Sequence, residues 1–568
     1  MIDIQQILSN AFQLHQKGNI EEADQIYETL LAQNNEEAEI LFLSSMTSWM
    51  LGRHQAAYSR LKKAIHIDPD ERYYVLLGNV CQSLGYFEEA ITQYRMAIQK
   101  GNKEADTHTN MGLALYELGQ TLEAQKEHYI AIEYQNEHLG AHYNLALLFL
   151  SEQKYEQAQK HLHHAQKIAP EDIEVLNNLG NTYLHLGDIG TARTFYAQAL
   201  AQEPYYIEAM YNMAMSYEAS GQLMEVKRRL QTLLEIHPKN LRAMRTLADI
   251  MMKEHNYYGA EQLLSIASRI SPNHPPTLSK IADCLIQQDE YASAITVLEQ
   301  TLTLEKTSYT WIQLGVVQRE LQSQNALSIC NEDIAHSFRQ ALQLDPDSGK
   351  AQYLLHMIEG VTPDRAPSDY ITNLFNFYAP KFEEHLVDIL QYQTPQKLKE
   401  FLWESTTSRI FSNVLDLGCG TGLMGNVMHE HSDQIFGLDL SPLMIQEAEK
   451  KDVYTQLFLE DIFSVCDLEI PQLDLIIAAD VLVYVGDLAP LFTILAQKIL
   501  KKGYLLFSVE ECCDGFILGS EARFLHSLSH IYSSLPPSIE IVATKRAPLR
   551  KNNEEWVEGL LLLAQKKI

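Results

Sequence analysis

No apolar run in the chain approaches the ~18 consecutive residues that a membrane-spanning helix needs. The opening residues, MIDIQQILSNAFQLHQKG, carry Asp3 and lack the basic stretch and apolar core of an export signal. A soluble protein of the cytoplasm is therefore expected, with no membrane association, although an export route without a cleavable signal leaves no such trace. Positive charge is also scarce. Lysine and arginine number 44 against 74 aspartates and glutamates, a formal charge of −30, of which −19 falls in residues 1–364 and −11 in residues 365–568. Neither part offers the basic footprint that phosphate backbones require, so nucleic acid is not an expected partner and a basic or zwitterionic one fits better. Cysteine is sparse and scattered: Cys81, Cys284, Cys330, Cys419, Cys466, Cys512 and Cys513 form no C-x-x-C pair and no metal-ligand spacing. They read as reduced thiols, and no metal site is expected.

What the first 360 residues do have is a period of 34. Turn positions fall at Gly18, Gly52, Gly85, Gly119, Gln153, Gly187, Gly221, His255 and Asp289, while Pro170, Pro204, Pro238 and Pro272 keep the same step. Ala90, Ala124, Ala158, Ala192, Ala260 and Ala294 are in register, with Val226 in the remaining slot. The pattern predicts helix pairs around a glycine-type turn, each closed by proline before the next begins. It resembles tetratricopeptide repeats (TPR), and small residues then mark where paired helices touch. Nine regular units lead to an irregular tenth, with helices over Trp311–Leu321 and Ile334–Leu344, and to a capping helix over Lys350–Glu359 with a polar outer face.

Tyr94, Tyr129 and Tyr196, near repeat spacing, are expected to pack the shared core. His161, His163 and His164 do not share a helix face at i, i+4 and read as a solvated face rather than a metal site. Asn110, Asn144, Asn178 and Asn212 recur at intervals of 34, each in the first helix of its repeat. A side-chain amide offers both the donor and the acceptor that an extended peptide needs. The set resembles the asparagine ladder of the O-GlcNAc transferase repeat domain, which holds peptides by their main chain. That resemblance implies a protein or peptide partner on the concave face; the alternative is that asparagine is merely frequent at this repeat position.

The second part contains VLDLGCGTGLMG, Val414 to Gly425. A branched apolar run predicts a buried strand, and Gly418, Gly420 and Gly422 in the turn after it allow positive φ and close approach of a ligand. A helix starting near Leu423 would direct free N–H groups into the same space. Asp416 would repel a pyrophosphate but can accept hydrogen bonds from an amine. The D-x-G-x-G-x-G pattern after a strand resembles the first motif of class I S-adenosylmethionine (AdoMet)-dependent methyltransferases. The resemblance implies an α/β Rossmann-like, seven-stranded domain following an all-α TPR superhelix, with AdoMet as cofactor.

Under that resemblance Asp439, closing QIFGLDL, takes the ribose hydroxyls, and Asp461, in LEDIF, meets the adenine amino group. Gly418, Cys419, Gly420, Gly422, Leu440, Met444, Ile462 and Asp480 complete the implied cofactor set. Further strands are read over Gln472–Asp480, Tyr504–Glu510, Ser538–Thr544 and Trp556–Leu563. A dinucleotide site is the rival, because Gly420, Gly422 and Gly425 also spell G-x-G-x-x-G with Asp439 beyond them. Asp416 and Asp461 have no role in that reading.

VTPDRAPSDY, residues 361–370, marks a short, stiff boundary. The array is accordingly placed at 1–359, the linker at 360–369 and the methyltransferase domain at 370–568, with 370–410 as an N-terminal helical lid. The lid carries F-x-x-Y-A-x-x-F-x-x-H-L, with Tyr378, Phe382 and His385, and is similar to a bacterial family of predicted methyltransferases with TPR. In related enzymes such a segment covers the cofactor, so Tyr378 or Phe382 either stacks over it or packs between helices.

ADVLVYVGDL, residues 479–488, occupies the position that faces the departing methyl group in the family. It is not N-P-P-[YFW], the signature of enzymes that methylate amino groups of adenine or glutamine. Asp480 and Tyr484 are its polar candidates. RFLHS, read as a helix after the fifth strand, offers His526 as a general base, and Arg523 or Arg550 could hold a substrate carboxylate. The sulfonium of AdoMet leaves as a neutral thioether, so transfer needs alignment more than acid catalysis. The acceptor atom, oxygen, nitrogen or carbon, therefore stays open. The expected function is AdoMet-dependent methyl transfer with the array recruiting a protein acceptor or partner. The alternatives are a small-molecule methyltransferase whose array serves assembly, and a scaffold that binds AdoMet without reacting.

Overall fold

The computed structural model describes residues 4–33, 37–324, 329–379, 383, 391–552 and 555–567. Up to residue 359 it contains twenty-one helices, from α1 (Ile4–Gln16) to α21 (Gly349–Glu359). All nine turn positions of the 34-residue register take positive φ: the six glycines lie between +72° and +84°, and Gln153, His255 and Asp289 at 59–60°. The left-handed residue ends the first helix of each pair, and glycine does so without the Cβ clash. Ala90, Ala124, Ala158, Ala192, Val226, Ala260 and Ala294 are all completely buried.

A second register runs beside the first. Gly78 lies under the ring of Tyr94, Gly112 under His128 and Gly180 under Tyr196, so close that a Cβ at any of them would overlap the ring. Tyr94 and Tyr196 are fully buried packing residues. Tyr129 is not: it stands one position off this register, 43% exposed and edge-on to His161, while His128 fills the core slot. The histidine-rich stretch is likewise no simple solvated face. His161 and His164 pack on the buried His142 with ring centroids 5.4 and 4.8 Å away, and burial lowers the His161 pKa to about 4. Among the described residues no group of His, Cys, Asp and Glu could hold a metal, and no helix is long and apolar enough to cross a membrane.

The α/β domain is built on β1 (Phe411–Leu417), β2 (Ser432–Asp439), β3 (Gln456–Leu459), β4 (Leu473–Ala478) and β5 (Ile499–Glu511), parallel and in the order β3-β2-β1-β4-β5. β9 (Glu555–Lys566) joins β5 antiparallel, and β8 (Ile539–Asn552) joins β9, which completes the seven expected strands. Two short additions, β6 (Phe516–Leu518) and β7 (Phe524–His526), were not expected. β7 pairs with Glu510 and Glu511 of β5, past the last β4–β5 pair at Ala478 and Phe507. Within RFLHS, Phe524–His526 form a strand and Ser527 caps the helix after it, because an alternation that buries Phe524 and His526 suits a sheet edge better than a helix. Leu415 and Leu417 of β1 face one apolar cluster and Val414 the other, so the sheet is covered on both sides.

The chain separates into two compact units, Met1–His255 and Asn256–Ile568. Helices from α16 (Tyr257–Ile270) to α21 therefore share a unit with the α/β domain. The cap also departs from expectation. α21 buries Tyr353, Leu354 and Leu355, the Tyr353 hydroxyl donates to Ala522 O at 2.9 Å, and its ring packs toward Phe524 of β7. A polar outer face is needed only where a terminal helix meets water, and here it meets protein.

These registers separate strain from overlap. Gly187→Ala meets open space and should lose about 1 kcal/mol to its positive φ alone, whereas Gly180→Ala collides with Tyr196 and should lose about 1–3 kcal/mol. Gln153→Gly should gain about 1 kcal/mol. Urea midpoints of the three variants check the ranking.

Candidate active site

One cavity of about 770 Å³ opens at the C-terminal ends of β1, β2, β3 and β4, within the second unit. Strand ends are where a parallel sheet leaves room for a ligand. Asp416, Gly418, Cys419, Gly420, Leu440, Asp439, Asp461, Ile462, Asp480 and Tyr484 all line it, so most residues singled out in the sequence converge there. Gly422, Met444 and His526 are not among its lining residues.

The glycine loop is held open by its surroundings. Gly418, Gly420 and Gly422 have φ of +67°, +54° and +88°, and a Cβ at Gly418 would overlap the Val481 side chain. Asp439 fastens the loop, accepting from Gly420 N at 2.9 Å through Oδ2 and from Ser441 N at 2.8 Å through Oδ1. Met444 is fully buried instead of lining the cavity, because its N–H serves the Ser441 cap of α25 (Pro442–Glu449). α24 (Leu423–Met428) is only six residues long, so the loop rather than the helix end shapes the site.

Asp416 is 2% exposed and accepts a 2.7 Å hydrogen bond from Tyr454. Burial raises its pKa to about 7, with the charge of Asp439 adding to the shift and Tyr454 opposing it. Burial likewise raises Asp439, against the pull of its backbone donors. Tyr454 was invisible in the sequence, although its effects were not. Its ring lies over Gly425 and Gly437, where a Cβ would strike it, which gives the last glycine of G-x-G-x-x-G a packing reason. Thr421 lines the cavity with its buried Oγ1 unpartnered. Three strand-end acids, a glycine cradle and an orphaned hydroxyl form a donor set suited to a small cationic nucleoside.

Asp461 accepts from Phe463 N at 3.0 Å and from the Ser368 hydroxyl at 3.1 Å. Ser368 begins α22 (Ser368–Tyr378), which also brings Tyr370, Ile371, Leu374 and Phe375 to the cavity. The side chain of Tyr378, and Phe382 and His385 altogether, lie outside the described residues. The linker before α22 is pinned to the loop after β4: Ala366 N donates to Tyr484 O, and Gly486 N and Asp487 N donate to Asp364 O, at 2.8–2.9 Å.

The far end of the cavity is organised by arginine. Arg523 directs Nη2 at Asp480 (2.6 Å), Nε at Glu510 (2.8 Å) and Nη1 at the Tyr484 hydroxyl (3.3 Å). Arg550 of β8 donates to the same Glu510 oxygen at 3.2 Å. Asp480 has φ of +62°, an unusual backbone for a non-glycine residue, and its N–H donates to Ser508 Oγ at 2.9 Å. His526 is elsewhere. It is completely buried, its Nε2 lies 3.2 Å from Leu482 O, and burial lowers its pKa to about 4. A neutral imidazole sealed in the sheet cannot reach an acceptor, so the geometry withdraws it as a general base. Arg319, from α19 (Ser308–Ser323), also lines the cavity, a contribution from a repeat helix that no motif announced.

Of the asparagines, Asn110 donates to Asn79 Oδ1 (3.1 Å), Asn178 to the Tyr143 hydroxyl (3.0 Å) and Asn212 to Asn177 Oδ1 (3.0 Å), while Asn144 is half-buried. The four stand on first helices of successive repeats, as the register requires.

Residues 376–537 match the family model of a methyltransferase domain, and residues 78–119, 137–202 and 183–250 match models of tetratricopeptide repeats. Malonyl-(acyl-carrier protein) O-methyltransferase of Salmonella typhimurium is 28% identical over 169 residues, covering 29% of this chain and 63% of that protein. The chain thus spans less than two thirds of that relative. Among solved structures, YrrB, described as a TPR protein with an unusual peptide-binding site, is 19% identical with a TM-score of 0.28, over 32% of this chain and 95% of its own. A TPR protein of Parabacteroides merdae is 19% identical with a TM-score of 0.32, over 45% and 100%. The chain is an array of tetratricopeptide repeats joined to a methyltransferase domain.

Proposed function

We propose that the domain binds AdoMet along the glycine loop and transfers its methyl group to an acceptor held at the Asp480, Tyr484 and Arg523 end of the cavity. The observation that carries this reading is the convergence of Asp416, Asp439 and Asp461 with the glycine cradle on one cavity. AdoMet supplies an activated methyl group, so the chain has to bind, align and exclude water. Asp416 would receive the ammonium, Asp439 the ribose hydroxyls, Asp461 the adenine edge and Thr421 a polar group near the loop. Tyr484 and Asp480, fixed by Arg523, would orient the acceptor. The acid at Asp416 favours this over a dinucleotide, whose phosphates it would repel.

Asp439→Ala removes both the expected ribose contact and the anchor of the glycine loop. AdoMet affinity should fall ~10- to 100-fold by calorimetry, the equivalent of ~1–3 kcal/mol. Unchanged affinity, or binding of NAD by the wild type, would overturn the cofactor reading.

The raised pKa of Asp416 has a direction in pH. Its protonated form favours the folded protein without ligand, so this group contributes stability at acid pH that is lost as pH rises through about 7. An ammonium group needs the ionised form. AdoMet affinity should weaken up to about tenfold per pH unit below pH 7 and level off above it, and Asp416→Asn should flatten the profile.

We further infer that the array recruits a protein acceptor or partner through the Asn110, Asn144, Asn178 and Asn212 face. The amide N–H groups of three of these already serve neighbouring side chains, so their Oδ1 atoms are the acceptors a peptide N–H would meet. Changing all four to alanine should cost ~0.5–1.5 kcal/mol per residue and strip captured proteins from a pull-down, while methylation of a small acceptor survives. An identical set of captured proteins would leave the array as an assembly element.

A further inference from the structure

Arg550 is 9% exposed and lines the cavity in company with Tyr392, Tyr484 and Arg523. Its Nη2 is spent on Glu510, but its Nε–H is buried with no hydrogen-bond partner. A guanidinium N–H sealed from water and left unpaired is costly, and such atoms call for a partner that completes them. Arg523, next to it, is more fully engaged, since Nε, Nη1 and Nη2 already donate to Glu510, Tyr484 and Asp480 in turn.

Charge decides what kind of partner fits. Asp480 and Glu510 balance Arg523 and Arg550 one for one within the cluster. Lys551 and Glu521 line the same cavity with opposite charges, and Arg319, which also lines it, is paired with Glu320. The second charge of a phosphate would be held against Asp480 and Glu510. A planar carboxylate also matches guanidinium geometry. Resting on the reading of this cavity as the methyl-transfer site, we propose that the acceptor carries a carboxylate that docks on the Arg550 guanidinium, making Arg550 a substrate-binding residue.

Benzoate and its neutral isostere benzamide are suitable probes, because the acceptor end also presents Tyr392, Tyr484 and Phe375 to a flat ring. Each is titrated into the full-length protein, with and without saturating AdoMet, and thermal unfolding is followed. Benzoate should raise the unfolding temperature and benzamide should not. Arg550→Gln should raise the benzoate concentration for half-maximal shift at least ~tenfold, the loss of one charged hydrogen bond. If Arg550→Gln does not fold, Arg550→Lys, which keeps a charge beside Glu510, takes its place. Equal shifts with the two probes, no shift with either, or an unchanged benzoate response in the variant would overturn the proposal. AdoMet is titrated separately. Its failure to bind sinks the cofactor reading alone, since the benzoate comparison without AdoMet still decides this one.

Discussion

The cavity depends on a buried quartet of charges, Asp480 and Glu510 against Arg523 and Arg550. The four residues come from separate places in the chain: the turn after β4, the end of β5, the approach to β7 and the length of β8. Taking such charges out of water is expensive, and their attraction offsets the cost only when every member is matched. Loss of one partner leaves another uncompensated, a penalty of about 3–5 kcal/mol. The quartet therefore ties the strand ends together, and Asp480 joins it from a left-handed backbone conformation.

The array was readable in the sequence because it is local. A 34-residue period repeats its own instructions, and every turn position read from it takes the left-handed conformation, including the three without glycine. The convergence of the strand-end acids on one cavity was readable for a related reason: Asp416, Gly418 and Gly420 lie within one strand and turn, Asp439 ends β2, and Asp461 follows β3. What failed depended on partners far away in sequence. His526 looked like a base because imidazole chemistry suits the task, yet its fate was decided by the pairing of β7 with β5 and by Leu482 O. Tyr454, Glu510 and Arg319 lie in no motif. The ring of Tyr454 occupies the space over Gly425 and Gly437, a contact between residues in different elements.

Tyr353 shows how the last repeat helices serve the α/β domain. An array buries one continuous core and must end somewhere, and an apolar terminal face needs either polar residues or a partner. α21 has a partner in β7, through Ala522 and Phe524. Arg523 lies between those two residues in sequence. α19 adds Arg319 to the cavity wall. Within this unit, repeat helices are part of the site rather than a detachable adaptor.

The two ends of the cavity differ in sign. Acids gather where a cationic donor would lie, and arginines gather beyond them, although the whole chain carries −30. Net charge argues against polyanions as partners, but it does not describe a field only a few ångströms across. Screening limits that field to about 8–10 Å at ordinary ionic strength. A free anion approaching an acidic surface is thus repelled until it is almost inside. Under the proposed reading this makes recruitment by the array more than a convenience. An acceptor tethered to the same chain gains effective concentration without help from long-range attraction, and the arginines need only recognise it over the last step.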